Sequence, residues 1–335
     1  MNHDSMTRRQ RRQLSRKRSP LLLSVMLMAR SKQRIVSAAA SSGSRASLPT
    51  PTSTMMATTT TASKDFFILR HGQATHNPRA EVAKANGCSF DDFLELMRQD
   101  DSLDSELTVT GQAQAQAVFE TNRNNKHFRQ LDLVVSSPLS RALQTADLAA
   151  PGHLHSNRIC YEEFREINGY LLNAKRRSLS AIRQIFPSWN LDYLEHEEDV
   201  LWTPKLESNE ACRERGYQGL QWILQRPEKK ILLVAHGGIL RYTMTEHPNV
   251  LVKDARRQSA VDNNNDDGDT TIRPVDARFD NCELRRYQIQ WGTSEEDGSQ
   301  TQEVVLTEVD LDHEQAIQSE VDDVKQDTED AASSS

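Results

Sequence analysis

The sequence predicts an α/β protein. We expect a three-layer sandwich, with a mostly parallel central sheet flanked by helices, in a single domain with disordered tails. Three short apolar runs carry the prediction, at residues 66–69, 131–137 and 231–235. Each run has the length of a strand and is followed by a stretch of helical character. Continuous apolar strands that alternate with helices are typical of a parallel sheet buried on both faces.

The helical stretches that follow these strands lie near residues 78–98, 138–149 and 237–247. An Ala/Gln-rich segment predicts a further helix over residues 107–122, with Thr110 as a candidate N-cap. Near the end of the chain, residues 278–291 predict one or two edge strands after a polar loop at residues 261–271.

Charge divides the chain into three parts. Residues 1–64 carry 12 Lys and Arg against 1 acidic residue, whereas residues 295–335 carry 14 acidic residues and 1 Lys. We therefore predict a targeting leader or disordered linker over residues 1–64 and a folded domain over residues 65–292. An acidic, largely disordered tail is predicted over residues 293–335. The two ends nearly cancel, at +11 and −13, and residues 65–294 contribute the remaining −5 of the net charge of −7. Nothing in this weakly acidic body points to a nucleic-acid partner.

The leader admits three interpretations. Its Arg- and Ser-rich, acid-poor composition is typical of a mitochondrial or plastid transit peptide. A basic region before the apolar residues 20–29 is typical of a secretory signal. The third interpretation is a disordered tail without a targeting role. The apolar run is shorter than the ~20 residues of a membrane span.

Four well-separated cysteines predict reduced thiols. We expect an intracellular protein, in an organelle if the leader is an import signal and cytoplasmic otherwise.

Chemically active side chains follow each predicted strand. Arg70 and His71 come directly after the first, Arg141 lies just beyond the second, and His236 and Gly237 follow the third. Because ligands of open α/β sheets bind beyond the carboxyl ends of the strands, we expect these residues to meet. The sequence contains no Gly-rich nucleotide loop and no metal-ligand spacing, so we predict neither cofactor nor metal.

Three motifs, in this order, carry a family resemblance: RHGQATHN (70–77), SSPLSRALQTA (136–146) and VAHGG (234–238). They resemble the histidine phosphatase superfamily, in its phosphoglycerate mutase-like branch. The chain is also similar to phosphoglycerate-mutase-like proteins of fungi and plants, in residues 164–178, 186–202 and 279–285. The resemblance extends over about residues 65–290.

The resemblance implies a catalytic role for each strand-end residue. His71 is the covalent nucleophile, Glu166 is the acid that protonates the leaving group, and the residues that hold the phosphoryl group are Arg70, Arg141 and His236. Guanidinium groups suit the last task because they remain charged and offer paired donors to phosphate oxygens. Glu162 and Glu163 are near rivals for the acid role, and Arg141 could instead be a helix-surface charge.

Substrate contacts are predicted at five further positions. Asn77 occupies the place of a phosphate-contacting side chain in the family, and Gly237 allows a backbone N–H to approach the phosphate. Lys175, Arg176 and Arg177 have two open interpretations. They form a cationic rim for a second anionic group of the substrate, or they are an ordinary solvated charge run.

We predict a metal-independent phosphomonoesterase that hydrolyses small phosphorylated metabolites through a phosphohistidine. The alternative within the same chemistry is a phosphoglycerate mutase. The family's mutases have a small hydroxylated residue and a tryptophan where this chain has Ala74 and His76, and this difference favours hydrolysis. A binding protein with an inactive histidine-phosphatase fold is the third alternative. The expected partner is a small phosphorylated substrate, with no nucleic acid and no membrane span; the sequence leaves the oligomeric state open.

Overall fold

The computed structural model describes residues 63–254, 277–296 and 299–311. Within them the helices and strands follow one another as β1 (Lys64–Arg70), α1 (Pro78–Ala85), α2 (Phe90–Gln99), α3 (Val109–Asn122), α4 (Lys126–Arg129), β2 (Leu133–Ser136), α5 (Ser140–Ala149), β3 (Arg158–Cys160), α6 (Leu179–Ile185), α7 (Asn209–Gln225), β4 (Lys230–Ala235), α8 (Gly237–Glu246), β5 (Val250–Asp254), β6 (Leu284–Glu296) and β7 (Ser299–Val309). Two 3-10 turns, Glu162–Phe164 and Leu172–Ala174, lie between β3 and α6.

The strands form one sheet in the order β3-β2-β4-β1-β6-β7-β5. Strands β3, β2, β4 and β1 pair in parallel, β6 runs antiparallel to both of its neighbours, and β5 pairs in parallel with β7. The predicted α/β sandwich with a mostly parallel sheet is therefore confirmed.

The side chains of β1 alternate between the two faces of the sheet and pack in a hydrophobic cluster on each face. Phe66 and Ile68 pack in a cluster that includes side chains of α7 and α8, while Phe67 and Leu69 pack on the other face with side chains of α3 and α5. Because successive side chains of a strand point to opposite faces, a continuous apolar strand is what a sheet covered on both sides requires.

The sequence prediction was wrong at the end of the domain. Strand β6 is an interior strand between β1 and β7, not an edge strand. Strand β7 lies inside the predicted tail, where Val304, Val305 and Leu306 are buried. The predicted start of the tail at residue 293 is therefore too early, because the sheet continues to Val309.

Two details of the helices also differ. The N-cap of α3 is Thr108 rather than Thr110, because the Thr108 hydroxyl accepts the Gly111 N–H at 3.0 Å. The 17-residue helix α7 was not predicted.

Lys64, placed in the leader by the prediction, is the first residue of β1. Residues 1–62 of the predicted leader, the polar loop at residues 261–271 and residues 312–335 of the acidic tail lie outside the described residues. Among the residues that are described, no helix is long and apolar enough to cross a membrane.

Candidate active site

The parallel pairing brings the three predicted strand ends together. Arg70 of β1 is in register with Ala235 of β4, and Ser136 of β2 with Val234 of β4. His71 and His236 each follow one of these strands, and their ring centroids are 4.9 Å apart. The expectation that they meet at the carboxyl edge of the sheet is confirmed.

His71 is held as the tautomer that a nucleophile needs. Its Nδ1 lies 2.7 Å from the carbonyl oxygen of Gly72, which can only accept, so Nδ1 carries the ring proton. Nε2 then keeps its lone pair and accepts a hydrogen bond from Nε of Arg141 at 3.3 Å. Burial, followed by the positive charges of Arg141 and Arg70, holds the pKa of His71 well below its usual value. The imidazole is therefore neutral at physiological pH.

The turn that supplies this carbonyl requires glycine. A Cβ at Gly72 would lie 2.5 Å from the backbone oxygen of Gly111, closer than packing allows. The Gly72 N–H donates to the Thr145 hydroxyl at 3.1 Å, which ties the turn to α5. The glycine after the histidine therefore permits the contact between the turn and α3.

His236 is also fully buried, and its Nε2 lies 2.7 Å from the Ser137 hydroxyl. Its Nδ1 is buried without a hydrogen-bond partner among the described residues. Burial lowers the pKa of His236 well below its usual value, and the charge of Arg141 adds to this effect. A neutral imidazole next to His71 can donate one hydrogen bond to a bound phosphoryl oxygen.

The two predicted arginines, Arg141 and Arg70, are held by different hydrogen-bond partners. Arg141 is 0% exposed and donates from Nη1 to the Asn173 carbonyl at 2.7 Å, which excludes the helix-surface alternative. Burial lowers the pKa of Arg141 to about 10, so the guanidinium remains charged at neutral pH. Arg70 donates to the Phe279 carbonyl at 2.8 Å and to the Glu81 carboxylate at 3.1 Å. Its Nε is buried and has no partner among the described residues.

A buried aspartate orients the helix that carries Arg141. Asp104 accepts the Ser140 N–H at 2.8 Å and the Ser140 hydroxyl at 2.6 Å, and so caps the start of α5. Asp104 has a φ of 49°, which is uncommon for a residue other than glycine. This contact joins residues 36 positions apart, and no local pattern in the sequence indicated it.

Glu166 is the predicted acid that the structure brings to the pocket. Its carboxylate accepts the N–H groups of Ile167 at 2.8 Å, Gly238 at 3.2 Å and Ile239 at 3.1 Å. The last two are at the start of α8, beside His236. A Cβ at Gly238 would collide with the carboxylate, so any other residue at this position would force Glu166 to move.

The two rivals of Glu166 have other contacts. Glu162 pairs with Arg176 at 2.7 Å and with Arg165 at 3.5 Å. Glu163 does not line the pocket, and burial raises the pKa of its carboxyl group. The geometry thus favours Glu166 over both neighbours.

Arg215, from the unpredicted helix α7, supports the segment before Glu166. Its guanidinium donates to the carbonyls of Glu163 at 2.7 Å, Arg165 at 3.0 Å and Glu166 at 3.2 Å. A bidentate pair with Glu207 fixes the guanidinium itself. Arg215 is therefore a positioning residue for the candidate acid.

Asn77 and His76 form a hydrogen-bonded pair in the pocket wall. The side-chain oxygen of Asn77 accepts the Ala74 N–H at 3.0 Å, which directs its amide nitrogen toward Nε2 of His76, 3.2 Å away. Because an amide nitrogen only donates, the neutral His76 ring carries its proton on Nδ1. That atom is buried without a partner in the described part of the chain. His76, which the sequence marks as a difference from the mutases, is therefore part of the pocket wall.

The predicted cationic rim does not form. Arg176 is 3% exposed, and its guanidinium donates to Glu162 and to four backbone carbonyls, so its assignment to substrate binding was wrong. Arg177 pairs with Asp104 and Glu106, and Nζ of Lys175 lies 5.0 Å from the centre of the Trp202 ring. The pocket does not include these three residues.

The site opens into a pocket of about 520 Å³. Predicted residues on its wall are Arg70, His71, Asn77, Glu166 and Gly237. Three further features of the wall were not predicted from the sequence: the acid Glu81, the apolar face of α2, and a second set of cations, Lys84, Arg241 and Arg278. Among the residues described, no group of three or more His, Cys, Asp or Glu could hold a metal ion, and all four cysteines are free.

Fold and site together define an α/β protein whose sheet edge presents two neutral histidines and two arginines. Residues 66–264 match the family model for the histidine phosphatase superfamily (branch 1), and the chain belongs to this superfamily. The prediction from the three motifs is thereby confirmed.

Two curated relatives agree with the predicted branch. The chain is 28% identical over 250 residues to phosphoglycerate mutase-like protein 1 of Arabidopsis thaliana, covering 66% of this chain and 79% of the relative. It is 33% identical over 185 residues to phosphomutase-like protein 3 of Candida albicans, covering 53% and 58%. A solved structure of a mycobacterial glucosyl-3-phosphoglycerate phosphatase with VO3 is 19% identical, with a TM-score of 0.36, covering 72% of this chain and 96% of that one.

Proposed function

We propose that the protein is a phosphomonoesterase that hydrolyses small phosphorylated metabolites through a phosphohistidine on His71. One observation carries the proposal. The hydrogen bond from Nδ1 of His71 to the Gly72 carbonyl keeps the ring proton on Nδ1. Nε2 therefore has a free lone pair, and it lies beside the Arg141 guanidinium. A neutral, oriented imidazole next to a fixed cation combines a nucleophile with a binding site for the anion it attacks.

The reaction then proceeds in two displacements. Arg70, Arg141 and His236 hold the phosphoryl oxygens while Nε2 of His71 bonds to phosphorus and the ester P–O bond breaks. Protonated Glu166 gives its proton to the leaving oxygen. In the second step a water attacks phosphorus, the Glu166 carboxylate takes a proton from that water, and the P–N bond breaks to release phosphate. Positioning and electrostatic stabilisation supply most of the catalysis in phosphoryl transfer.

The cationic side chains of the site supply the positive field that a metal ion supplies in other phosphoryl-transfer enzymes. Arg141 is anchored by a backbone carbonyl, so its guanidinium is oriented before the substrate arrives. The proposed mechanism requires no metal. Phosphate release should persist in EDTA and should not rise when Mg²⁺ or Zn²⁺ is added.

A phosphoglycerate mutase is the second candidate, and the names of the curated relatives favour it. A mutase must shield the phosphohistidine from water and transfer the group back to a sugar acid. Ala74 and His76 stand where the family's mutases have a hydroxylated residue and a tryptophan, and we therefore rank hydrolysis first.

The test is a product assay on the full chain. With p-nitrophenyl phosphate we expect release of inorganic phosphate, abolished in His71→Ala and retained in Arg79→Gln, which removes an exposed charge outside the pocket. With 3-phosphoglycerate, primed by 2,3-bisphosphoglycerate, we expect little 2-phosphoglycerate. Rapid isomerisation with negligible hydrolysis would establish the mutase instead. Absence of both activities, with phosphate still bound, would support an inactive binding protein.

A further inference from the structure

Three cations line the pocket outside the set that holds the phosphoryl group. Lys84 lies on α1, Arg241 on α8, and Arg278 before β6. Each comes from a different element of the fold, and their long side chains reach one cavity. We call these residues the second cation set.

The second cation set has no ion pair with any acid in the described part of the chain. Glu81, an acid on the same wall, is paired with Arg70 at 3.1 Å. Asp280 also lines the wall but makes no ion pair with a described residue, and Glu166 is bonded to backbone N–H groups. Nε of Arg241 is buried without a hydrogen-bond partner in that part of the chain. Of the three cations only Arg241 is partly buried, whereas Lys84 and Arg278 are exposed. A buried guanidinium nitrogen ordinarily has a partner, so the pocket beside Nε of Arg241 has room for an anion.

Because these cations line one pocket, the charges of the others act on Lys84. The pKa of Lys84 is lowered, first by burial and then by the charges of Arg70, Arg278 and Arg241; Glu81 opposes the shift. Arg70, a phosphoryl-binding candidate, belongs to the same electrostatic neighbourhood. An anion held by the second cation set would therefore lie in the same pocket as the phosphoryl group.

The wall beside these cations is apolar. Phe90, Phe93, Leu94 and Met97 of α2 line the pocket, at the i, i+3, i+4, i+7 spacing of one helix face. None of the residues of α2 is buried, so this face does not pack in the core. Nζ of Lys84 lies 5.3 Å from the centre of the Phe93 ring, which places the apolar face next to the second cation set.

We propose that the substrate is a phosphomonoester with a second acidic group, in which an apolar body lies against α2 and the second acid binds Lys84, Arg241 and Arg278. This inference rests on the proposed function, because it assumes that the phosphoryl group binds beside His71. A carboxylate and a second phosphate offer the same chemistry to these cations. The proposal replaces the cationic rim that the sequence suggested at residues 175–177.

Binding of non-hydrolysable phosphonates tests the proposal without turnover. Methylphosphonate, benzylphosphonate and 4-carboxybenzylphosphonate would be titrated calorimetrically into the full chain. We expect benzylphosphonate to bind more tightly than methylphosphonate. We expect 4-carboxybenzylphosphonate to bind about tenfold more tightly than benzylphosphonate, because a charge-assisted contact contributes about that factor. In a Lys84→Gln/Arg241→Gln double variant the gain from the carboxylate should fall to about twofold or less.

The matched control is Arg79→Gln/Lys229→Gln, which removes the same charge at exposed positions outside the pocket and should keep the full gain from the carboxylate. Replacing the carboxybenzyl ligand with 4-phosphonobenzylphosphonate separates a carboxylate preference from a second-phosphate preference. Equal affinity of the benzyl and carboxybenzyl ligands for the wild type would overturn the proposal, as would a gain that survives in the double variant. If no phosphonate binds at all, the phosphoryl site itself is wrong, and the proposed function fails together with this inference.

Discussion

Nε of Arg141 donates a 3.3 Å hydrogen bond to Nε2 of His71, so the guanidinium contacts the lone pair that would attack phosphorus. A phosphoryl oxygen that enters the site can take this donor and free the nitrogen for attack. Because Nη1 of the same side chain is anchored to the Asn173 carbonyl at 2.7 Å, the exchange needs no large movement of Arg141.

This relationship predicts that lysine cannot replace arginine at position 141. Lys would keep the positive charge but not the planar fork that contacts His71 and Asn173 together. We expect Arg141→Lys to lower kcat/KM for p-nitrophenyl phosphate about 100-fold, the typical effect of removing one fixed donor to a developing oxyanion. Steady-state kinetics checks this, with circular dichroism as the control for folding. Less than a fivefold loss would show that charge alone is sufficient.

The buried neutral histidines make stability depend on pH. Burial, aided by Arg141 and Arg70, lowers the pKa of His76 well below its unfolded value of about 6.5. The unfolded chain therefore binds this proton more readily, and stability is lost as pH falls below about 6.5. Between pH 7 and pH 5 the contribution from one such histidine amounts to about 2 kcal/mol.

His76→Gln removes this contribution while retaining an amide that can accept from Asn77. Urea denaturation at pH 7 and pH 5 should show that the variant loses about 2 kcal/mol less of its unfolding free energy than the wild type does. His153→Gln is the control, because that histidine is exposed. Identical losses in wild type and His76→Gln would mean that His76 is not held neutral by the fold.

Much of the site could be predicted because its chemistry is local in sequence. Arg70 is the last residue of the apolar strand β1, and His71 and His236 directly follow β1 and β4. Parallel pairing of these strands then places the three residues on one edge. The three adjacent cations at residues 175–177 show the limit of this reasoning. Adjacent residues of this run have different surroundings. Arg176 is buried among backbone carbonyls, whereas Arg177 pairs with Asp104 and Glu106.

Other parts of the fold and site depend on long-range contacts. Strand β7 is rich in Gln, Glu and Thr, and only its pairing with β5 and β6 buries Val304 and Leu306. The contacts of Asp104 with Ser140 and of Arg215 with the segment before Glu166 likewise join distant residues. The apolar spacing of α2 was visible in the sequence, but whether that face meets the core or a cavity is decided by tertiary packing.

The acid role of Glu166 predicts a dependence on the leaving group. A phenolate with a low pKa leaves without protonation, whereas an alkoxide needs the proton that Glu166 supplies. Glu166→Gln should therefore lower kcat/KM about 100-fold for alkyl phosphates and about tenfold or less for p-nitrophenyl phosphate. Glu163→Gln is the matched control, because that carboxyl does not line the pocket. Equal losses on both ester classes would remove Glu166 from the acid role and leave the hydrolase standing.

The proposed mechanism requires transfer of the phosphoryl group to Nε2 of His71. The most direct measurement is to mix the full chain with ³²P-labelled p-nitrophenyl phosphate, whose leaving group needs no proton from Glu166, quench within milliseconds to seconds, and map the labelled peptide. We predict an acid-labile, base-stable label on His71 that is absent in His71→Ala and accumulates in Glu166→Gln, whose second step is slowed. A label on any other residue, or turnover in His71→Ala at the wild-type rate, would contradict the account.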